Sequence, residues 1–161
     1  MNKQVYRFVM LALSLSSGAS FAGFPALAQN SANRPSEADA AAIRQTALDY
    51  IEGWYEGNAE RMERALHPEL AKRIVRTDPK SGRSSLGQMS AMSLVQGTRN
   101  GGGKSTPKEK QQKDVTILDV FEGAASVKVV ATSWIDYLHM AKWNGRWVIV
   151  NVLWELKPDS R

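Results

Sequence analysis

The chain has 161 residues, carries 21 lysines and arginines against 16 acidic residues for a net charge of +5, and contains no cysteine. That length fits one ordinary domain with a core of its own, and the missing thiols exclude disulfides and a lipid-modified cysteine. The basic excess is local: residues 72–113 hold ten basic and two acidic side chains, whereas 29–71 hold four and eight. Such a stretch reads first as a solvated loop region and second as a surface for an anionic partner.

Lys3 and Arg7 precede an apolar run from Phe8 to about Phe24, and no acidic residue appears before Glu37. Ala26-Leu27-Ala28 fits a small-x-small cleavage site, so residues 1–28 are expected to be a secretory signal peptide. Ser14, Ser16, Ser17, Gly18 and Ser20 interrupt the run too often for a membrane span. The reading is an exported protein, periplasmic or secreted, with no membrane span after signal cleavage. Residues 29–35 are polar and expected to be a disordered lead-in to a domain over 36–158.

Ser36-Glu37-Ala38-Asp39 predicts a capped helix start. Ile43, Ala47, Tyr50, Ile51 and Trp54 then recur at helical spacing to a stop at Gly57. Asn58 caps a shorter helix to about Leu66, which His67-Pro68 ends. Leu70–Val75 reads as a short strand or a helical turn, and Asp78–Gly82 as a turn. The three-residue spacing of Leu86, Met89, Met92 and Val95 predicts a third helix ending near Gln96 or Gly97. Thr98–Lys113 reads as a loop. Its glycine-rich start, GTRNGGGKST, misses the phosphate-binding pattern: Gly103-Lys104-Ser105 calls for glycine at position 98, which is Thr98, and no strand precedes it.

The last third predicts sheet. Val115–Phe121 is strand-like, Glu122-Gly123 a tight turn, and Ala124–Met140 one long strand. Asn144-Gly145 marks a second hairpin. Arg146–Leu156 is apolar on both alternations, with Val148, Val150, Val152, Trp154 and Leu156 assigned to one face and Trp147, Ile149 and Leu153 to the other. Helices first and antiparallel strands last give an α+β fold in which a bent sheet wraps the first helix as a cone with a pocket.

The blocks AIRQTALDYIEGWYEGNAERMERALHPELAKR and DVTILDVFEGAASVKVVATSWIDYLHMAKWNGRWVIVNVLWELKP resemble the putative lumazine-binding family. That family lies in the nuclear transport factor 2-like superfamily, beside ketosteroid isomerase-like and polyketide cyclase-like proteins. The resemblance covers 36–158. It implies a cone-shaped curved antiparallel sheet packed on N-terminal helices, a central pocket, and frequent homodimers through the sheet. It implies no particular reaction.

Candidate ligand-binding residues are Trp54, Tyr55, Trp134, Asp136, Asn151 and Trp154. The aromatic side chains suit a small hydrophobic or heteroaromatic ligand, although core filling is their commoner use. Asn151 is the lone uncharged polar residue within Arg146–Leu156 and needs a partner. Asp136 and His67 are the candidate general bases, because superfamily isomerases use a carboxylate this way and related dehydratases use His with Asp. Alternation sets Trp134, Asp136 and Leu138 opposite Ile135, Tyr137 and His139. Two histidines 72 positions apart and no cysteine make no metal-ligand spacing, and no cofactor or nucleic-acid motif is present. The leading expectation is an exported, non-catalytic small-molecule-binding domain. An isomerase or dehydratase comes second, and an envelope protein-interaction module third.

Overall fold

The computed structural model describes residues 35–158. The expected signal peptide and all of the expected lead-in except Pro35 lie outside them. No helix among the described residues is long and apolar enough to cross a membrane.

Helix α1 spans Glu37–Glu56. Its start is fixed by Ser36, whose Oγ accepts from the Asp39 backbone N–H and donates to the Asp39 carboxylate at 3.0 Å. Its end is fixed by Gly57, at φ 68°, where a side chain would be strained. Asn58 caps α2, Ala59–Ala65. Strand β1 follows at once, Leu66–Thr77, and β2 is Ser84–Ser90. Helix α3 is Ala91–Arg99. The sheet is completed by β3 Lys113–Phe121, β4 Ala124–Ala131, β5 Trp134–Trp143 and β6 Arg146–Leu156.

These strands form one open, curved, six-stranded sheet in the order β2-β1-β6-β5-β4-β3. Four of its pairings are antiparallel, and β1 pairs with β6 in parallel. The α+β cone expected from the sequence is therefore present, with a mixed sheet. Ile43, Ala47, Tyr50 and Ile51 of α1 pack into the core with Val127, Val129, Leu138, Ile149 and Val152 of the sheet. Each fully buried aliphatic of this kind contributes roughly 1.5–3 kcal/mol.

Three expectations change. The helix read over Leu86–Gln96 is a strand and then a helix. Ser84, Ser85 and Gly87 are weak helix formers, and pairing from Ala71↔Ser90 to Thr77↔Ser84 satisfies their backbone instead. Ser90 then caps α3 through a bond from the Ser93 N–H. The single strand over 124–140 is two strands reversed at Thr132-Ser133. Thr132 holds that turn: it donates to the Lys110 carbonyl, accepts from the Gln112 N–H, and its own N–H donates to Tyr55 Oη. On β6, the register slips between His139↔Asn151 and Met140↔Ile149. That bulge leaves Val150 unpaired and turns Trp147 and Ile149 to the same core as Val152.

Candidate functional site

Strand alternation and the bulge together aim Trp134 and Asp136 of β5 and Trp154 and Leu156 of β6 at the helices, since Trp134↔Leu156 and Asp136↔Trp154 are register partners. Lys72 of β1 sits beside Val152 in the parallel ladder and points the same way. Between this patch and α1 lies a cavity of about 370 Å³, within the range of small-molecule sites. Its walls are aromatic, from Tyr50, Trp54, Trp134 and Trp154. Met62, Met89 and Leu94 close the apolar side, and the cations are Lys72 and Arg76.

Trp54 and Trp134 meet edge to face, with ring centroids 6.4 Å apart. Behind Trp54 lies the glycine-rich stretch. A side chain at Gly102 would collide with the Trp54 ring, and one at Gly103 with the Trp54 backbone and ring. These glycines let a loop backbone lie flat against a cavity wall.

Asp136 is completely buried behind the wall, and Lys72 is 4% exposed. The Lys72 ammonium donates to Asp136 Oδ1 at 2.5 Å and to Tyr50 Oη at 2.6 Å. Tyr50 Oη donates to Asp136 Oδ2 at 3.2 Å, and Trp134 Nε1 donates to the same oxygen at 2.6 Å. Both carboxylate oxygens are thus engaged, which is how a buried charge is made tolerable. Lys72 Nζ also lies 4.8 Å from the centroid of the Trp154 ring. Burial drives the Lys72 amine below its ordinary range, against the pull of Asp136. Burial and the neighbouring carboxylate push the Tyr50 phenol well up, so it stays protonated.

Of the residues singled out from the sequence, Trp54, Trp134 and Trp154 line the cavity and Asp136 stands directly behind it. Tyr55 is buried next to Trp134, with centroids 6.3 Å apart, but spends its hydroxyl on the Gln112 carbonyl and on Thr132. Asn151 faces the other side of the sheet, where its Oδ1 accepts from Arg73 and its amide meets His139. His67 lies at the start of β1, edge-on to Trp143 at 4.8 Å, and accepts from the Glu69 N–H. Neither Asn151 nor His67 touches the cavity. Lys72, Arg76 and Tyr50 complete the site and were not among the candidates. Lys72 was detectable: once Leu70–Val75 is a strand, Leu70, Lys72 and Ile74 share a face, and a lysine between two aliphatics is a buried charge in search of a partner.

A family model described as putative lumazine-binding matches residues 38–155. The chain belongs to that family. Similar solved structures share the family's architecture at low identity. An NTF2-like protein of unknown function from Shewanella baltica OS155 has 16% identity and a TM-score of 0.57, covering 78% of this chain and 99% of its own. One from Methylobacillus flagellatus KT has 21% identity and a TM-score of 0.57, covering 77% and 96%. An NTF2-like protein with a cystatin-like fold from Novosphingobium aromaticivorans has 10% identity and a TM-score of 0.53, covering 75% and 83%. No curated protein matches. At these identities the likeness of this putative lumazine-binding family member to solved structures concerns the fold alone.

Proposed function

We propose that this domain is a non-catalytic receptor for a small, flat, largely apolar molecule held in the cavity between α1 and the sheet. The observation that carries the reading is the cavity itself: about 370 Å³, walled by three tryptophans and a tyrosine, with its one deep charge pair already neutralised internally. Aromatic faces offer large contact area at little conformational cost. A general base needs a free lone pair within reach of substrate. Asp136 has both oxygens occupied and His67 lies away from the cavity, so the isomerase or dehydratase reading has weaker support.

Two further parts of the proposal concern the molecule's surroundings. Lys3, Arg7 and the apolar run ending before Ala26-Leu27-Ala28 support export to the periplasm or beyond, which cell fractionation tests. Val75, Tyr137 and Leu153 are exposed apolar residues on the strands, and Tyr137↔Leu153 are register partners; they support a homodimer through the outer face of the sheet. A monomer by light scattering at micromolar concentration contradicts that dimer.

The binding test uses tryptophan fluorescence with 2-naphthamide and 2-naphthoate as flat bicyclic probes. Both are expected to bind and to raise the melting temperature, and Met89→Trp, which fills the cavity, is expected to weaken both about tenfold or more while the protein still melts cooperatively. Absence of binding by either probe, together with no small molecule retained in native mass spectra of protein from its own host, refutes the reading.

A further inference from the structure

The cavity has a polarity along its length. Lys72 and Arg76 lie on the same face of β1, four residues and so roughly 13 Å apart along the backbone, and both reach the Trp154 ring, at 4.8 and 6.0 Å from its centroid. Lys72, at the deep end, is neutralised by Asp136 at 2.5 Å. Arg76 is exposed and has no carboxylate partner among the described residues. Among the described residues no carboxylate lines the cavity. The site as a whole therefore presents one uncompensated positive charge, and it sits at the rim.

That charge is held in place. The Arg76 guanidinium lies over the Trp154 ring, 6.0 Å from its centroid. On the neighbouring strand Gly87 makes room for it, because a Cβ there would come within 2.8 Å of Arg76 Nη1. Trp154 adds a second polar element: its indole N–H is buried and has no hydrogen-bond partner among the described residues. A buried donor without an acceptor is costly unless a ligand supplies one. The same tryptophan thus offers a ring face for stacking and an unused donor, and it stands beneath an unpaired guanidinium.

Resting on the proposal that the cavity is a small-molecule site, we infer that its ligand is an aromatic acid, with the ring among Trp54, Trp134 and Trp154 and the carboxylate at Arg76. A guanidinium over an aromatic wall matches a planar carboxylate better than it matches a neutral polar group. A cationic ligand is disfavoured, since it meets Arg76 at the rim and finds no free acid inside.

The test compares 2-naphthoate, ionised at pH 7, with 2-naphthamide, which has the same ring and no charge, by isothermal titration at low ionic strength. Wild-type protein is expected to bind the acid about tenfold or more tighter than the amide, the scale of a charge-assisted bond partly open to water. Arg76→Gln, at an exposed position that leaves the core untouched, is expected to bring the acid-to-amide affinity ratio down to about one. Equal affinity of the two probes for the wild type overturns the acid assignment while leaving the cavity as a binding site. An acid preference that survives in Arg76→Gln also overturns it, because the carboxylate is then not held by Arg76. Failure of both probes to bind removes the cavity reading and this inference together.

Discussion

Lys72 occupies a place in β1 that its neighbours Leu70 and Ile74 fill with aliphatic carbon, and it is tolerated there through three other residues. Asp136 supplies the charge, Tyr50 the hydroxyl acceptor and Trp154 the ring face. Such a pair gains little over a well-packed apolar substitute, but removal of one member leaves the other charged and buried. Lys72→Met alone is therefore expected to lose about 3–5 kcal/mol of folding stability. Lys72→Met combined with Asp136→Leu is expected to recover most of that loss. Urea denaturation of both variants decides it: a single variant within about 1 kcal/mol of wild type contradicts the stabilising role given to the buried pair. The cluster was half readable beforehand. Asp136 stood out as an acid between Trp134 and Leu138, and its face was correctly assigned by alternation. Its partner was hidden, because Lys72 lies 64 positions away and the strand that carries it reads equally as a helical turn.

At the scale of elements, the capping residues announced the helices and the turn residues announced two hairpins. Ser36, Gly57, Asn58 and Asn144-Gly145 all act as their chemistry predicts. Local chemistry was silent where pairing decides. Leu86, Met89, Met92 and Val95 keep a helical interval across a strand–helix junction, and only the presence of β1 alongside selects the strand. Thr132-Ser133 carries no turn signature, and its reversal depends on Tyr55 and on the loop carbonyl of Lys110. The glycine-rich stretch reads from the sequence as a loop, yet Gly102 and Gly103 are pressed against Trp54. Gly103→Ala is accordingly expected to cost roughly 1–3 kcal/mol, the usual scale for overpacking, and to shift tryptophan emission as the ring moves. Gly82→Ala, where the added carbon meets nothing, serves as the control for a glycine that only relieves positive φ. Equal losses at the two positions, with unchanged emission, contradict the role given to the loop.

Across the whole molecule, the start of α1 is tied to the β5–β6 hairpin through one carboxylate. Asp39 Oδ1 accepts from Lys142 Nζ and from Trp147 Nε1, each at 2.8 Å. These two bonds, with that from Ser36, lower the Asp39 pKa to about 2. Because the folded value lies below the unfolded one, the tie is fully present above the ordinary carboxylate pKa of about 4. It is lost as the pH falls from there toward 2. Asp39→Asn is expected to be less stable than wild type at pH 7 and equal to it near pH 2, with the difference closing between. Melting temperatures across that range measure it, and a gap that stays constant with pH rules out ionisation as its source.

The parallel pairing of β1 with β6 has a temporal consequence. Ribosomes deliver β1 and β2 early, but the strand that seats them in the sheet, and that carries Trp154 and Val152, is the last of the six to emerge. Pairing between residues some 80 positions apart is slow to nucleate. The β1–β2 ribbon, with Lys72 on it, lacks its neighbour in the sheet until synthesis has passed Leu156. For an exported chain, as proposed, that delay keeps the sheet from closing around the cavity until β6 is available. A chain stopped before Arg146 is expected to remain protease-sensitive throughout, β1 included, and pulse proteolysis of stalled nascent chains would show it; early protection of β1 would mean that the ribbon finds another seat.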